Sequence, residues 1–181
     1  MSKILTCIIS LMMSLSYNLD FQTGIPSQEL EKGLLNGLTP LADTFKDIEE
    51  KYEINSVLFA SIVAVESGWG NSKLATVGNN ITSYRNSDGT YKYYDSKEEC
   101  LYDMAENLKK NYIDENGIYF NKSTSIDDIA CYYLIGKPRE EMTADEIKRT
   151  DDYVTLIKEV QRQIFKRIED KNKNLSFLLT K

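Results

Sequence analysis

The sequence predicts one mainly helical α+β domain, and three observations predict it. A block from Val57 to Val65 is apolar almost all round and runs into Glu66-Ser67-Gly68, as a core helix does. Other stretches carry apolar residues at three- and four-residue spacing behind capping signals. A single β signal, Tyr84 to Tyr94, surrounds an Asp88-Gly89 turn. At 181 residues the chain is about one domain's worth and can bury a core. Its 41% apolar and 28% charged content is that of a globular protein.

Met1 to Ser16 has one early lysine and an apolar run, Ile4 to Leu15, too short to span a bilayer. The run has the composition of a signal-peptide core, with Ser14 and Ser16 as small residues before a cut. The alternatives are a buried N-terminal helix or an excised piece of a longer protein. The expected boundaries are 1–24 for this segment, 25–173 for the domain and 174–181 for a tail.

Ser27 to Asn36 predicts a short helix with Leu30 and Leu34 on one face and Gly37 as its stop. Thr39-Pro40 supplies an N-cap and a proline at the first helical position. That helix runs to Tyr52 with Leu41, Phe45, Ile48 and Tyr52 as its stripe, and Asp43, Asp47, Glu49 and Glu50 form a solvated acidic face. Asn55 or Ser56 caps the apolar helix, and Gly68 ends it. The β-hairpin follows. Ser96 with Glu99 makes a capping box for a helix to Lys110, with Leu101, Met104, Leu108 and Tyr112 inward.

Asn116-Gly117 breaks the chain, and Ser125 caps a helix that turns Ile126, Ile129 and Tyr133 inward. Gly136 and Pro138 end it. Thr143 with Glu146 is a second capping box. Thr150 is expected to cap the last helix, whose seam is Tyr153, Ile157, Val160, Ile164 and Ile168. Leu175 to Lys181 is assigned to no element. Repeats and low-complexity linkers are absent, so no separate binding module is expected within these residues.

The chain has no histidine, which removes Ser-His-Asp and Cys-His catalysis and histidine zinc sites. Cys7, Cys100 and Cys131 have no metal-ligand spacing. Cys100 and Cys131 are expected in helices as small apolar residues, with a bridge between them left open. No cofactor is expected. The net charge of −6 and pI near 4.9 leave no basic stripe for nucleic acid. Proton chemistry therefore falls to carboxylates and tyrosines. Nine of the 12 tyrosines lie between Tyr84 and Tyr133. Such a density suits a core, and it also suits stacking on sugar rings.

Glu66 is the carboxylate best placed for such chemistry. It shares a helix face with Val63, Ile62 and Phe59. Burial there, and the negative end of the helix dipole, both disfavour its charged form. A carboxyl kept protonated near neutral pH is what a general acid needs. The alternative is a helix-terminal glutamate whose head reaches solvent past Gly68.

Glu66-Ser67-Gly68-Trp69-Gly70, then Ser72, Leu74, Ala75 and Asn79-Asn80, together with Tyr52, Ile54 and Asn55 upstream, resemble the catalytic motif of the bacterial glucosaminidase family. These are the endo-β-N-acetylglucosaminidases of glycoside hydrolase family 73. The resemblance is good from about Ile25 to Tyr112 and weaker beyond. It implies a lysozyme-like fold with a buried catalytic helix and a short β-hairpin at the cleft. It implies that Glu66 is the acid that cleaves the β-1,4 bond after N-acetylglucosamine in peptidoglycan strands. Asn80, Tyr84, Tyr132, Tyr133 and Tyr153 are the expected substrate-binding residues, and Trp69 is expected to pack beneath the motif.

Two departures from the family pattern stand out. Many members carry a second glutamate on a longer hairpin. Here the nearest carboxylates are Asp88, expected as a turn residue, and Asp95, expected in a loop or cap. The family also has a tyrosine in a Gly-Tyr-Ala-Thr-Asp-Pro run, with another Tyr shortly after. Thr150-Asp151-Asp152-Tyr153 keeps the tail of that pattern, but Lys148 stands where the tyrosine would be. Tyr132 or Tyr133 could fill the place.

The second group is then Asp95 activating water, or the substrate's own acetamide with a tyrosine steadying it. A lytic transglycosylase, or a non-catalytic wall-binding or virion structural module, is the competing expectation. The expected location is outside the cell or at its wall, or in a phage or mobile-element assembly that breaches walls. Stable membrane insertion is not expected, and wall targeting would come from specific contacts or another domain.

Overall fold

The computed structural model describes residues 17–179, with side chains through residue 172. The expected secretion signal at Met1 to Ser16 lies outside the described residues. The architecture is helical: α1 (Ser27–Gly33), a 3-10 turn (Asn36–Leu41), α2 (Ala42–Tyr52), α3 (Ser56–Ser67) and α4 (Lys73–Val77) come first. Next come α5 (Lys97–Leu108), a π turn (Lys109–Ile113), α6 (Ile126–Leu134), a 3-10 turn (Arg139–Glu141) and α7 (Ala144–Leu179).

The apolar block forms the centre. Val57, Leu58, Phe59, Ala60 and Val63 of α3 are all fully buried. Asn55 starts the helix, its Oδ1 accepting the Leu58 N–H at 2.9 Å. Gly68 stops it with φ +57°, a left-handed conformation that glycine adopts without Cβ strain. Helix α2 packs against α3 through an edge-on pair of Phe45 and Phe59, ring centroids 5.7 Å apart. Helix α7 lies along α3 and α1 and buries Ile157 and Ile164. It approaches α1 so closely that a Cβ on Gly33 would fall 2.6 Å from Ile164 Cγ2.

Residues 17–24 pack on this body. Leu19 is fully buried, and its N–H and C=O pair with Thr124 C=O and Asn55 N–H, both at 2.8 Å. Thr23 reaches Glu49, and this corrects the expected acidic face of α2. Asp43, Asp47 and Glu50 are exposed, but Glu49 is 1% exposed. Its carboxylate accepts the Thr23 N–H at 2.6 Å, the Thr23 hydroxyl at 2.8 Å and Lys46 Nζ at 2.9 Å. The Ser56 N–H adds a donor at 3.3 Å. A buried charge surrounded by donors is tolerated where a bare one is not.

Three further expectations change. Thr39-Pro40 does not open α2; Pro40 lies in the 3-10 turn that leads into it. Ser125 stands at the N-cap of α6 but makes no side-chain cap bond. Thr150 caps nothing. The Thr143–Glu146 box starts α7, with Glu146 Oε2 accepting the Thr143 N–H at 2.8 Å. The helix then runs on through Thr150, whose hydroxyl turns back to the Glu146 carbonyl at 3.0 Å.

The expected β-hairpin is reduced to one isolated antiparallel bridge, Arg85 to Tyr91, with no strand among the described residues. The chain does reverse there. Asn86 N–H bonds Thr90 C=O at 2.7 Å, Gly89 has φ +85°, and Asp88 Oδ1 accepts the Thr90 N–H at 2.9 Å. A second backbone bond crosses the turn, from the Lys92 N–H to the Tyr84 C=O at 3.0 Å. The Asn80 amide spans both arms, donating to the carbonyls of Tyr84 and Lys92 at 2.9 Å each.

Candidate active site

Glu66 occupies the last turn of α3, half-buried at the edge of the core. Burial pushes its carboxyl above the usual carboxylate range, and a hydrogen bond from Tyr153 pulls partly back. That bond is short: the Tyr153 hydroxyl donates to Glu66 Oε1 at 2.6 Å. Tyr153 comes from α7, which runs alongside α3 and so brings a residue far along the chain onto the acid. Its own phenol is held well above its ordinary pKa, first by burial, then by Tyr133 and by the negative charge of Glu66. Tyr153 is therefore a neutral donor at any physiological pH.

A file of rings stands behind the pair. Tyr133 stacks on Tyr153 at 6.4 Å between centroids and 17° between planes. Tyr112 meets Tyr133 edge-on at 6.3 Å, Tyr119 lies 5.0 Å from Tyr112, and Tyr132 lies 5.9 Å from Tyr119. The π turn carries Tyr112 into this file. Beneath Tyr133 and Tyr153 is an apolar cavity of about 10 Å³, walled by Ile62, Met104, Leu108 and Ile129 among others. Its apolar walls offer a water no hydrogen-bond partners.

The five tyrosine and asparagine expectations separate here. Tyr153 touches Glu66. Tyr133 stands one ring back, stacked on Tyr153. Tyr132 faces Tyr119, at the far end of the file from the acid. Tyr84 is held protonated by burial first, and then by Tyr112, Asp103, Cys100 and Glu66. Asn80 is 1% exposed. Its Oδ1 accepts the N–H groups of Thr82 at 3.3 Å and Tyr84 at 3.1 Å, while its amide clips the two arms of the turn. It shapes the wall.

Only burial and Tyr153 shift Glu66; no carboxylate figures among the causes. Asp88 is spent on Thr90. Asp95 is exposed, its backbone held by Glu99 and Asn79. Trp69 packs partly buried beside the motif under the Arg167 guanidinium, 4.7 Å from its ring. Tyr112 is buried in the core, as its helical spacing predicts, and joins the ring file from there. Cys100 and Cys131 are buried free thiols.

Residues 42–166 match the family model for glucosaminidase, described as mannosyl-glycoprotein endo-beta-N-acetylglucosaminidase. The chain belongs to the glucosaminidase family of glycoside hydrolases. The matched span contains Glu66, Tyr84, Tyr133 and Tyr153. Two relatives from Streptococcus pneumoniae, one from serotype 4 and one from strain R6, are each 33% identical over 113 residues. Both are named "Putative endo-beta-N-acetylglucosaminidase". The alignments cover 57% of this chain but only 17% and 16% of the relatives' lengths, so the glucosaminidase unit is a small part of those proteins.

Proposed function

We propose that this glucosaminidase cleaves peptidoglycan at the β-1,4 bond after N-acetylglucosamine, with Glu66 as general acid. The observation that carries the reading is the half-buried Glu66 carboxyl bonded to Tyr153. Burial raises the Glu66 carboxyl above the usual carboxylate range and so favours its protonated form, and that proton passes to the bridging oxygen as the C1–O bond breaks. Positive charge then grows at C1 of the N-acetylglucosamine unit.

No carboxylate figures among the causes that shift Glu66, and the substrate's own acetamide oxygen is the group that closes on C1. Water later opens the resulting oxazolinium, giving up a proton to the Glu66 carboxylate. Tyr153 donates to that carboxyl more strongly while it is charged than while it is protonated. Tyr84 lines the cleft, Tyr133 backs Tyr153, and Asn80 fixes the wall. Tyr132 supports the far end of the ring file. The protein works outside the cell or on the wall side of an assembly that breaches it, with targeting supplied elsewhere.

The lack of a second carboxylate suits a lytic transglycosylase as well, because that reaction needs no activated water. Mass spectrometry of fragments from purified sacculi separates the two. Free N-acetylglucosamine ends support hydrolysis, and 1,6-anhydro-N-acetylmuramic ends replace it with transglycosylation. Glu66→Gln should cut release about 10²–10⁴-fold. No release by the wild-type chain would leave a non-catalytic wall-binding or virion module.

A further inference from the structure

Two large rings on the 84–94 segment stand in solvent: Tyr93 is 71% exposed and Tyr91 41%. Neither is loose. The Arg85 guanidinium lies 4.0 Å from the Tyr91 ring centroid, and its Nη2 donates to the Tyr91 hydroxyl at 2.7 Å. Arg85 is itself tied to the Gly89 carbonyl at 2.7 Å. Tyr93 rests on Gly78 so closely that a Cβ there would fall 2.7 Å from its Cδ1. Holding exposed rings in place removes the ordering cost of anything that later stacks on them.

Lys92 and Tyr94 line the same groove as the two rings. Both reach Asp103 of α5, Lys92 Nζ at 2.8 Å and the Tyr94 hydroxyl at 2.6 Å. An open groove of about 520 Å³ runs past these residues, lined by Asn86, Tyr91, Lys92, Tyr93 and Asp103 among others. Its size is that of a small-ligand site. Tyr153, not a lining residue of this groove, bonds to Glu66, and the Lys92 N–H joins the groove to the Tyr84 carbonyl at 3.0 Å.

Held aromatic faces beside a prearranged amide, ammonium and carboxylate form a surface suited to a pyranose ring. The ring's C–H face stacks on tyrosine, and its rim of hydroxyls meets the polar groups. The net charge of −6 disfavours a polyanion here. We propose that this groove is an outlying saccharide site, in which Tyr91 and Tyr93 grip N-acetylhexosamine units of the glycan strand away from the bond cleaved at Glu66. This rests on the glucosaminidase reading and adds strand-length recognition to it.

The test uses the full chain carrying Glu66→Gln, titrated with chitohexaose by calorimetry and by amide NMR. The expected result is shifts over residues 86–94 as well as around Glu66, with affinity lowered roughly tenfold by Tyr93→Ala. Tyr93→Phe should retain affinity, because the ring and not the hydroxyl does the stacking. A folded Tyr93→Ala protein that binds hexaose unchanged, or shifts confined to the Glu66 region, overturns the proposal. So does a response at 86–94 that appears only when the ligand carries a stem peptide, since the groove would then read peptide. If Tyr93→Ala does not fold, Tyr91→Ala gives the same readout. Hexaose binding at 86–94 by a protein that releases nothing from sacculi would leave the saccharide site standing and remove the hydrolase reading.

Discussion

The Tyr153 hydroxyl donates to Glu66 Oε1 at 2.6 Å, joining the start of the last helix's apolar seam to the end of the central one. Two opposed effects meet at that carboxylate. Burial raises its pKa, and the phenol lowers it. The balance sets the pH range over which Glu66 holds a proton to give.

Removing the phenol should tip that balance. In Tyr153→Phe the charged form of Glu66 loses its donor, so the pKa rises further and the alkaline limb of kcat/KM moves to higher pH. Turnover falls about tenfold to a hundredfold, in line with a hydrogen bond to a charged group at about 1.5–3 kcal/mol. A pH–rate profile checks both. An unmoved limb would mean that the bond does not act on the titrating acid.

Glu66 should also cost stability. Its folded pKa lies above its unfolded one, so the unfolded state holds fewer protons between the two values. Stability from this group is full below pH about 4.5 and declines as pH rises through the folded pKa. Glu66→Gln should therefore raise the melting temperature at pH 7 and leave it nearly unchanged at pH 4. Thermal melts at the two pH values check the sign.

Glu49 works in the reverse direction. Burial pushes its carboxyl up, but Lys46, Thr23 and Ser56 together outweigh burial and hold it below the usual range. Its stabilisation is present above the unfolded pKa and is lost as pH falls through the folded one. Glu49→Gln should destabilise the fold by about 3 kcal/mol at pH 7, leaving Lys46 and buried donors without their acceptor. Urea melts should show the gap between wild type and variant closing in acid.

Gly33 marks the closest approach of α1 and α7. Gly33→Ala places a methyl 2.6 Å from Ile164 Cγ2 and 2.8 Å from the Ile164 carbonyl oxygen. The side chain can rotate, but the backbone oxygen cannot move without shifting α7. A loss of about 1–3 kcal/mol is expected, read as a lower melting temperature. Because α7 carries Tyr153, the variant's pH–rate profile also reports how rigidly that helix presents its phenol.

By itself the sequence determined the central helix and its caps, because these follow from local pattern. The apolar run of Val57 to Val65, the Asn55 cap and the Gly68 stop each act within a few residues. Tertiary structure decided what lies far apart in the chain. Thr150 looked like a cap, yet the Thr143–Glu146 box had already launched α7, and that unbroken helix sets Tyr153 on Glu66. Glu49 looked like solvated surface, yet Thr23 and Ser56 arrive from other segments to surround it. Tyr84 to Tyr94 carries a hairpin pattern, and its arms are joined by a bridge, two backbone bonds and the Asn80 amide rather than by strands. A side chain's charge and its partners depend on what packs against it, and sequence spacing carries that information only along one helix or strand.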